Sequence, residues 1–173
     1  MEDRHHFDDG KTLEAEDRRL MNIRQAITQE DIAAARALFE EYAAWLGVDL
    51  CFQGFAAELA GLPGLYAPPR GRLLLAWTEA QAARCVALRP MGDSVCEMKR
   101  LFVKPAFRGR GAGRMLAEAV IAEARAIGYA SMRLDSLASL AAATKLYESL
   151  GFVRIPAYYA TPLPDTIFME LPL

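Results

Sequence analysis

Histidine is nearly missing from this sequence: there are two, His5 and His6, both in a charged N-terminal stretch. The rest of the chain has no imidazole for a Ser–His or Cys–His nucleophile system and none for a zinc site, so most hydrolase chemistry falls away. Cysteine is scarce and odd in number. Cys51, Cys85 and Cys96 are widely spaced among apolar neighbours, which argues against a disulfide framework or a metal cluster and for buried, reduced thiols. No metal is expected. No apolar run approaches a membrane span, and "MEDRHHFDDGK" lacks the apolar centre of a signal peptide. Charge of one sign is not in excess either. With 20 Lys and Arg against 22 Asp and Glu, the net charge is −2, and no basic field points to nucleic acid or an anionic bilayer. These absences predict a cytoplasmic protein with neither a nucleic-acid nor a membrane partner.

What is present is an ordinary globular composition, 53% apolar and 24% charged over 173 residues, enough for one buried core. Residues 1–20 read as a charged extension and 21–173 as a single α/β domain. "NIRQAI" is a strand candidate. In "TQEDIAAARALFEEYAAWL", Thr28 as N-cap and Asp31 three residues on nearly match a capping box. Ile32, Ala35, Leu38, Phe39, Tyr42 and Leu46 recur at helical spacing, and Gly47 ends the run. "GFAAELAGL" fits a short helix and "LPGLYAPPRG" a loop. "RLLLAWTE" and "RCVALRPM" read as a hairpin, and "SVCEMKRLFV" as a third strand. After a glycine turn come the helix "AGRMLAEAVIAEARAI", the strand "ASMRLDSL", the helix "SLAAATKLYESL", and the strands "FVRIP" and "TIFMEL". Strands interrupted by helical crossovers in this order predict one mixed sheet with helices on its faces.

The turn is the stretch that carries chemistry. Gly109, Gly111 and Gly113 alternate with Arg110, Ala112 and the flanking Arg108 and Arg114 just before a helix. Glycines let an anion approach the main chain, and N–H groups at a helix N-terminus favour negative charge. Arginines add charge-assisted hydrogen bonds. A P-loop would need Gly-Lys-Ser/Thr, where this chain has Gly113, Arg114 and Met115. The dinucleotide fingerprint needs a third glycine where Arg114 stands. A plain connector remains open on the turn alone. Along "CEMKRLFV", strict alternation would put Cys96, Met98 and Phe102 on one face, interrupted by Arg100, and Glu97, Lys99, Leu101 and Val103 on the other. That broken pattern suits a bulge that leaves backbone groups unpaired, though an edge strand with scattered charges would share it.

The pattern Arg-x-x-Gly-x-Gly (Arg108, Gly111, Gly113), preceded by "LFVKPAFRG" and followed beyond a strand by "LYESLGF", resembles the GNAT acetyltransferase superfamily from about residue 22 to the end. The resemblance implies a mixed, mostly antiparallel sheet of about six to seven strands with flanking helices. It implies acetyl-CoA as the donor, with its pyrophosphate on the backbone N–H groups of residues 109–114 and its pantetheine arm paired with Leu101, Phe102 and Val103. It places Tyr147 beside the thioester sulfur as the acid; the same tyrosine also lies on the apolar stripe Ala143, Leu146, Tyr147, Leu150, so a core role stays open. Glu97 is the candidate base, with Asp135 in reserve, and a backbone N–H near Val103 the oxyanion donor. Many relatives carry an asparagine at the start of the tyrosine-bearing helix; here Ser136 or Ser139 is the nearest substitute. The acceptor, a small-molecule or peptide amine, would be read by residues 38–66, with Tyr42 and Trp45, and by "PAYYATPLPD". Tyr158 and Tyr159 there fit a pocket wall, a homodimer contact or plain packing. A non-catalytic acyl-CoA-binding module is the alternative, as is a protein in which the turn only connects.

Overall fold

The computed structural model describes residues 22–78, 81–109 and 111–173; the extension read over residues 1–20, and Arg110, lie outside the described residues. In chain order the elements are β1 (Asn22–Gln25), α1 (Gln29–Leu46), α2 (Phe55–Ala60), β2 (Arg72–Trp77), β3 (Ala82–Pro90), β4 (Val95–Val103), α3 (Ala112–Ile127), β5 (Ser131–Leu137), α4 (Ala141–Ser149), β6 (Val153–Ile155) and β7 (Thr166–Pro172). The strands form one sheet in the order β1-β2-β3-β4-β5-β7-β6. All neighbours run antiparallel except β4 and β5. This is the mixed, mostly antiparallel architecture that the sequence predicts. No helix among the described residues is long and apolar enough to cross a membrane.

The central strands are covered on both faces, which is why their sequences are nearly continuous apolar runs. Leu73 and Leu75 of β2, with Cys85 and Ala87 of β3, pack under Ala35, Leu38 and Phe39 of α1. Leu74, Ala76, Val86 and Leu88 point the other way, onto Leu116, Val120, Ile121 and Ala124 of α3. Those α3 residues recur at helical spacing and form its buried face. Cys85 and Cys96 are buried as expected; Cys51 is exposed, contrary to the expectation for all three. It opens a short 3-10 turn, Cys51–Gln53, that buries none of its own residues, although Leu50 just before it is buried.

Helix α1 starts at a complete capping box. The Thr28 hydroxyl accepts from the Asp31 N–H at 3.1 Å, and the Asp31 carboxylate accepts from the Thr28 N–H at 3.1 Å. The same carboxylate takes the Ile27 N–H at 3.0 Å and pairs with Arg24 of β1 at 2.7 Å, tying the helix to the sheet edge. Asp31 is fully buried. Burial works to raise its pKa, but the N–H groups of Ile27 and Thr28, the Thr28 hydroxyl and Arg24 outweigh it and hold the carboxyl below its usual 3.8. A carboxylate whose folded pKa is depressed stabilises the native state above its unfolded pKa, and loses that contribution as pH falls through the folded value. Asp31→Asn should therefore cost about 2 kcal/mol near neutral pH, from the cap and the unpaired arginine. Urea unfolding should show the gap between wild type and variant closing as pH falls below 3.8. A gap of the same size at acid and neutral pH would mean that the charge contributes nothing.

Candidate active site

Strands β4 and β5 stay paired only from Val95–Ser131 to Glu97–Arg133. Beyond that register both strands continue, β4 to Val103 and β5 to Leu137, without bonding to each other. The parting opens a cleft of about 530 Å³. Met98 to Val103 form one wall and Leu134 to Leu137 the other, with Gly109, Ala112 and Gly113 at one end and Tyr147 of α4 in the side. Tyr42 and Trp45 of α1 close it from the opposite face of the sheet.

A bulge shapes the β4 wall. Cys85 of β3 faces Phe102 and Ala87 faces Lys99, so the single residue Val86 lies opposite both Arg100 and Leu101. The bulge expected from the sequence is present, but it redistributes the faces. Met98, Leu101 and Val103 pack toward the α3 side, whereas Phe102 joins the α1 side against Tyr42 and Trp45. Strict alternation put Phe102 with Met98; one extra residue reverses the pleat for everything after it.

Charged side chains in this wall are paired, as burial requires. Lys99 is bonded to Asp135 across the parting at 2.7 Å and lies 3.8 Å from Glu97. Glu97 accepts from Arg89 at 2.7 Å and from the Tyr158 hydroxyl at 2.8 Å. Of the two carboxylates weighed as base, Asp135 lines the cleft. Glu97 is fully buried, with both of its oxygens engaged outside the cleft lining. Burial pushes the Asp135 pKa up, but Lys99, the Tyr159 hydroxyl and Arg100 bring it below the ordinary aspartate value. Tyr158 and Tyr159 pack edge-on against Phe168 and serve these carboxylates from behind. In the sequence Arg100 marks only a break in the strand pattern, and neither it nor Lys99 is given a role. Two adjacent cations inside an otherwise apolar strand are the signal that partners must exist.

Tyr147 is 7% exposed, and among the described residues its hydroxyl has no hydrogen-bond partner, unlike those of Tyr66, Tyr129 and Tyr158. Burial, then Tyr42 and Asp135, push its pKa well above the phenol value of 10.0, so the proton stays on. Tyr147 also touches Phe152 edge-on in the apolar cluster. The core and cleft readings of this residue are compatible.

At the turn, Gly109 and Gly111 hold φ of 91° and 72°, and a Cβ at either would meet open space. Gly111 is the N-cap of α3 and no side chain caps that helix, which leaves helical N–H donors for a ligand. This arrangement fits a pyrophosphate. Among the arginines, Arg108 turns back: its Nε donates to the Val103 carbonyl at 3.1 Å, and its guanidinium lies 4.2 Å over the Trp45 ring. Arg114 pairs with Glu118 and Ser149. Ser136 and Ser139 both line the cleft.

A parting between parallel strands, entered by a glycine turn at a helix N-terminus, puts an unpaired strand edge and anion-binding N–H donors in one cleft. The model of the acetyltransferase (GNAT) family matches residues 25–152. An uncharacterised N-acetyltransferase of Schizosaccharomyces pombe is 40% identical over 144 residues, covering 82% of this chain and 88% of that protein. In structure, an acetyltransferase from Streptococcus agalactiae superposes with a TM-score of 0.74 at 22% identity, over 89% of this chain and 99% of the other. A GNAT acetyltransferase from Elizabethkingia anophelis with acetyl-CoA bound has a TM-score of 0.53 at 23% identity, over 60% of this chain and 76% of the other. The chain belongs to the GNAT family and is an acetyltransferase.

Gly111→Val tests the turn. A β-branched residue at φ of 72° is strained, and its side chain would fill the space an anion needs. CoA affinity should fall by about tenfold or more while the chain still folds, because the orphan donors become hindered. Unchanged affinity in a calorimetric titration would exclude this turn as the phosphate site.

Proposed function

We propose that the protein transfers an acetyl group from acetyl-CoA to a primary amine, of a small molecule or a peptide, by direct attack in a ternary complex. The observation that carries this reading is the Tyr147 hydroxyl, protonated and without a described partner, in the wall of a cleft that starts at an uncapped helix N-terminus. Residues 109–114 would hold the pyrophosphate and the free β4 edge, Leu101 to Val103, the pantetheine arm. Acetyl-CoA bound there supplies a thioester activated toward nucleophiles.

The chain's own groups then have three tasks. Asp135, ionised and in the cleft, receives the acceptor ammonium and orients it; we assign it the base role ahead of Glu97, which is fully buried and does not line the cleft. A carboxylate of lowered pKa does not strip a free ammonium. The amine enters the reaction neutral, and the proton it sheds on bonding to carbon is acidic enough for a weak base. As nitrogen–carbon bonding displaces sulfur, Tyr147 gives its hydroxyl proton to the departing thiolate, and the phenolate is reprotonated from solvent. A main-chain N–H near Val103 takes the charge developing on oxygen. Direct attack is favoured over a covalent acyl-cysteine because Cys51, Cys85 and Cys96 are all absent from the cleft lining, and the Cys85 thiol is bonded to the Arg100 carbonyl.

Tyr147→Phe removes one hydroxyl and little volume. Acetyl transfer to a verified amine should drop about 10²-fold, with acetyl-CoA binding and melting temperature almost unmoved. Wild-type turnover in the variant, with chemistry rate-limiting, would end the acid assignment. CoA binding without transfer to any amine of a broad panel would favour the binding-module alternative. The pH profile gives a further test. Because the tyrosine pKa is raised, its acid form persists to higher pH than a free phenol's, so kcat/KM should climb as the acceptor deprotonates and show no Tyr147-dependent fall below pH 10.0. An alkaline limb below that value, abolished in Tyr147→Phe, would contradict it.

A further inference from the structure

Arg100 is the one non-glycine residue among those described with positive φ, at 57°, and it sits in the β4 bulge midway along the wall of the cleft. L-residues with long side chains disfavour this conformation, so something must hold it. The side chain is 3% exposed and runs away from the cleft to α2. There its Nε and Nη2 donate to the two oxygens of Glu58 at 3.0 and 2.7 Å. Tyr66 donates to the same carboxylate at 2.8 Å, and the Phe55 and Tyr42 rings flank the guanidinium at 5.1 and 6.0 Å. The Arg100 carbonyl, displaced from regular pairing by the bulge, takes the Cys85 thiol at 3.3 Å. A two-point fork on a carboxylate fixes orientation as well as charge.

We propose that Arg100 is a positioning residue for the acyl donor: anchored on Glu58, it holds the bulge that turns the free edge of β4 toward the cleft. The inference rests on the acetyl-CoA reading above. Its logic is the pleat. With the bulge, Leu101 and Val103 lie on the α3 side of the strand and Phe102 under α1. Without it, each of the three would exchange faces, and the main-chain groups between them would rotate with them. The pair thus acts on the donor through backbone shape.

Arg100→Gly separates shape from anchor, because glycine accepts positive φ freely but cannot reach Glu58. Glu58→Gln keeps Arg100 and weakens the anchor, and Arg100→Lys restores charge without the fork. Calorimetry with CoA, melting temperature and steady-state kinetics should be read on all three. CoA affinity should fall about tenfold or more in Arg100→Gly, less in Glu58→Gln, with partial rescue in Arg100→Lys, since small misplacements of a binding edge are costly. KM for acetyl-CoA should rise more than KM for the acceptor. Variants that melt lower yet bind CoA like wild type would reduce the pair to a structural ion pair and overturn the proposal. If Arg100→Gly does not fold, Glu58→Gln decides alone: wild-type CoA affinity in its folded form overturns the proposal. A wild-type chain that binds no CoA overturns the donor reading and this one together, and is distinguished by appearing without any substitution.

Discussion

Everything at the cleft depends on the parting of two parallel strands after Glu97 and Arg133. Up to that point β4 and β5 satisfy each other's main chain; past it, β4 has an edge with no strand beside it. A buried edge is costly unless something pairs with it. In this chain the cost is lowered by a bulge, by the Arg108 guanidinium on the Val103 carbonyl and by the Cys85 thiol on the Arg100 carbonyl. What remains open is a stretch of β4 main chain without a partner strand.

The charges around the parting are organised to leave the cleft electrically quiet. Arg89, Glu97, Lys99 and Asp135 form one chain of contacts, and Arg100 with Glu58 another. Each set is balanced in sign. Since an unpaired charge would be prohibitive at this burial, the pairs must form together with the fold, and they lock β4 to β3, to β5 and to α2. The phenol of Tyr147 has no such partner among the described residues. The contact between Trp45 and Arg108 ties α1 to the segment that leads into the glycine turn, so two sides of the cleft are joined.

Much of this was legible before any coordinates. Thr28 and Asp31 announced the start of α1, and the apolar stripe of "AGRMLAEAVIAEARAI" announced α3, because caps and helical periodicity are local. The glycine turn before α3 was legible as a place where the main chain takes positive φ, since the backbone freedom of Gly109 and Gly111 belongs to the residues themselves. The bulge too left a mark, in the broken alternation around Arg100. Its consequence did not: Phe102 went to the wrong face because the number of residues opposite Val86 is set by the neighbouring strand. Cys51 misled too: its own side chain stays exposed although Leu50 beside it is buried, a choice made by packing that the sequence does not show.

The division follows from the range of the interactions. Sequence by itself determined the elements, their order and the family likeness. Tertiary structure alone decided which carboxylate meets the cleft, Asp135 rather than Glu97, which partner each buried cation takes, and that Arg108 lies on Trp45. Those choices join residues distant in sequence, such as Arg100 with Glu58 and Lys99 with Asp135. No local pattern encodes such pairings; they exist only once the sheet has brought the strands together.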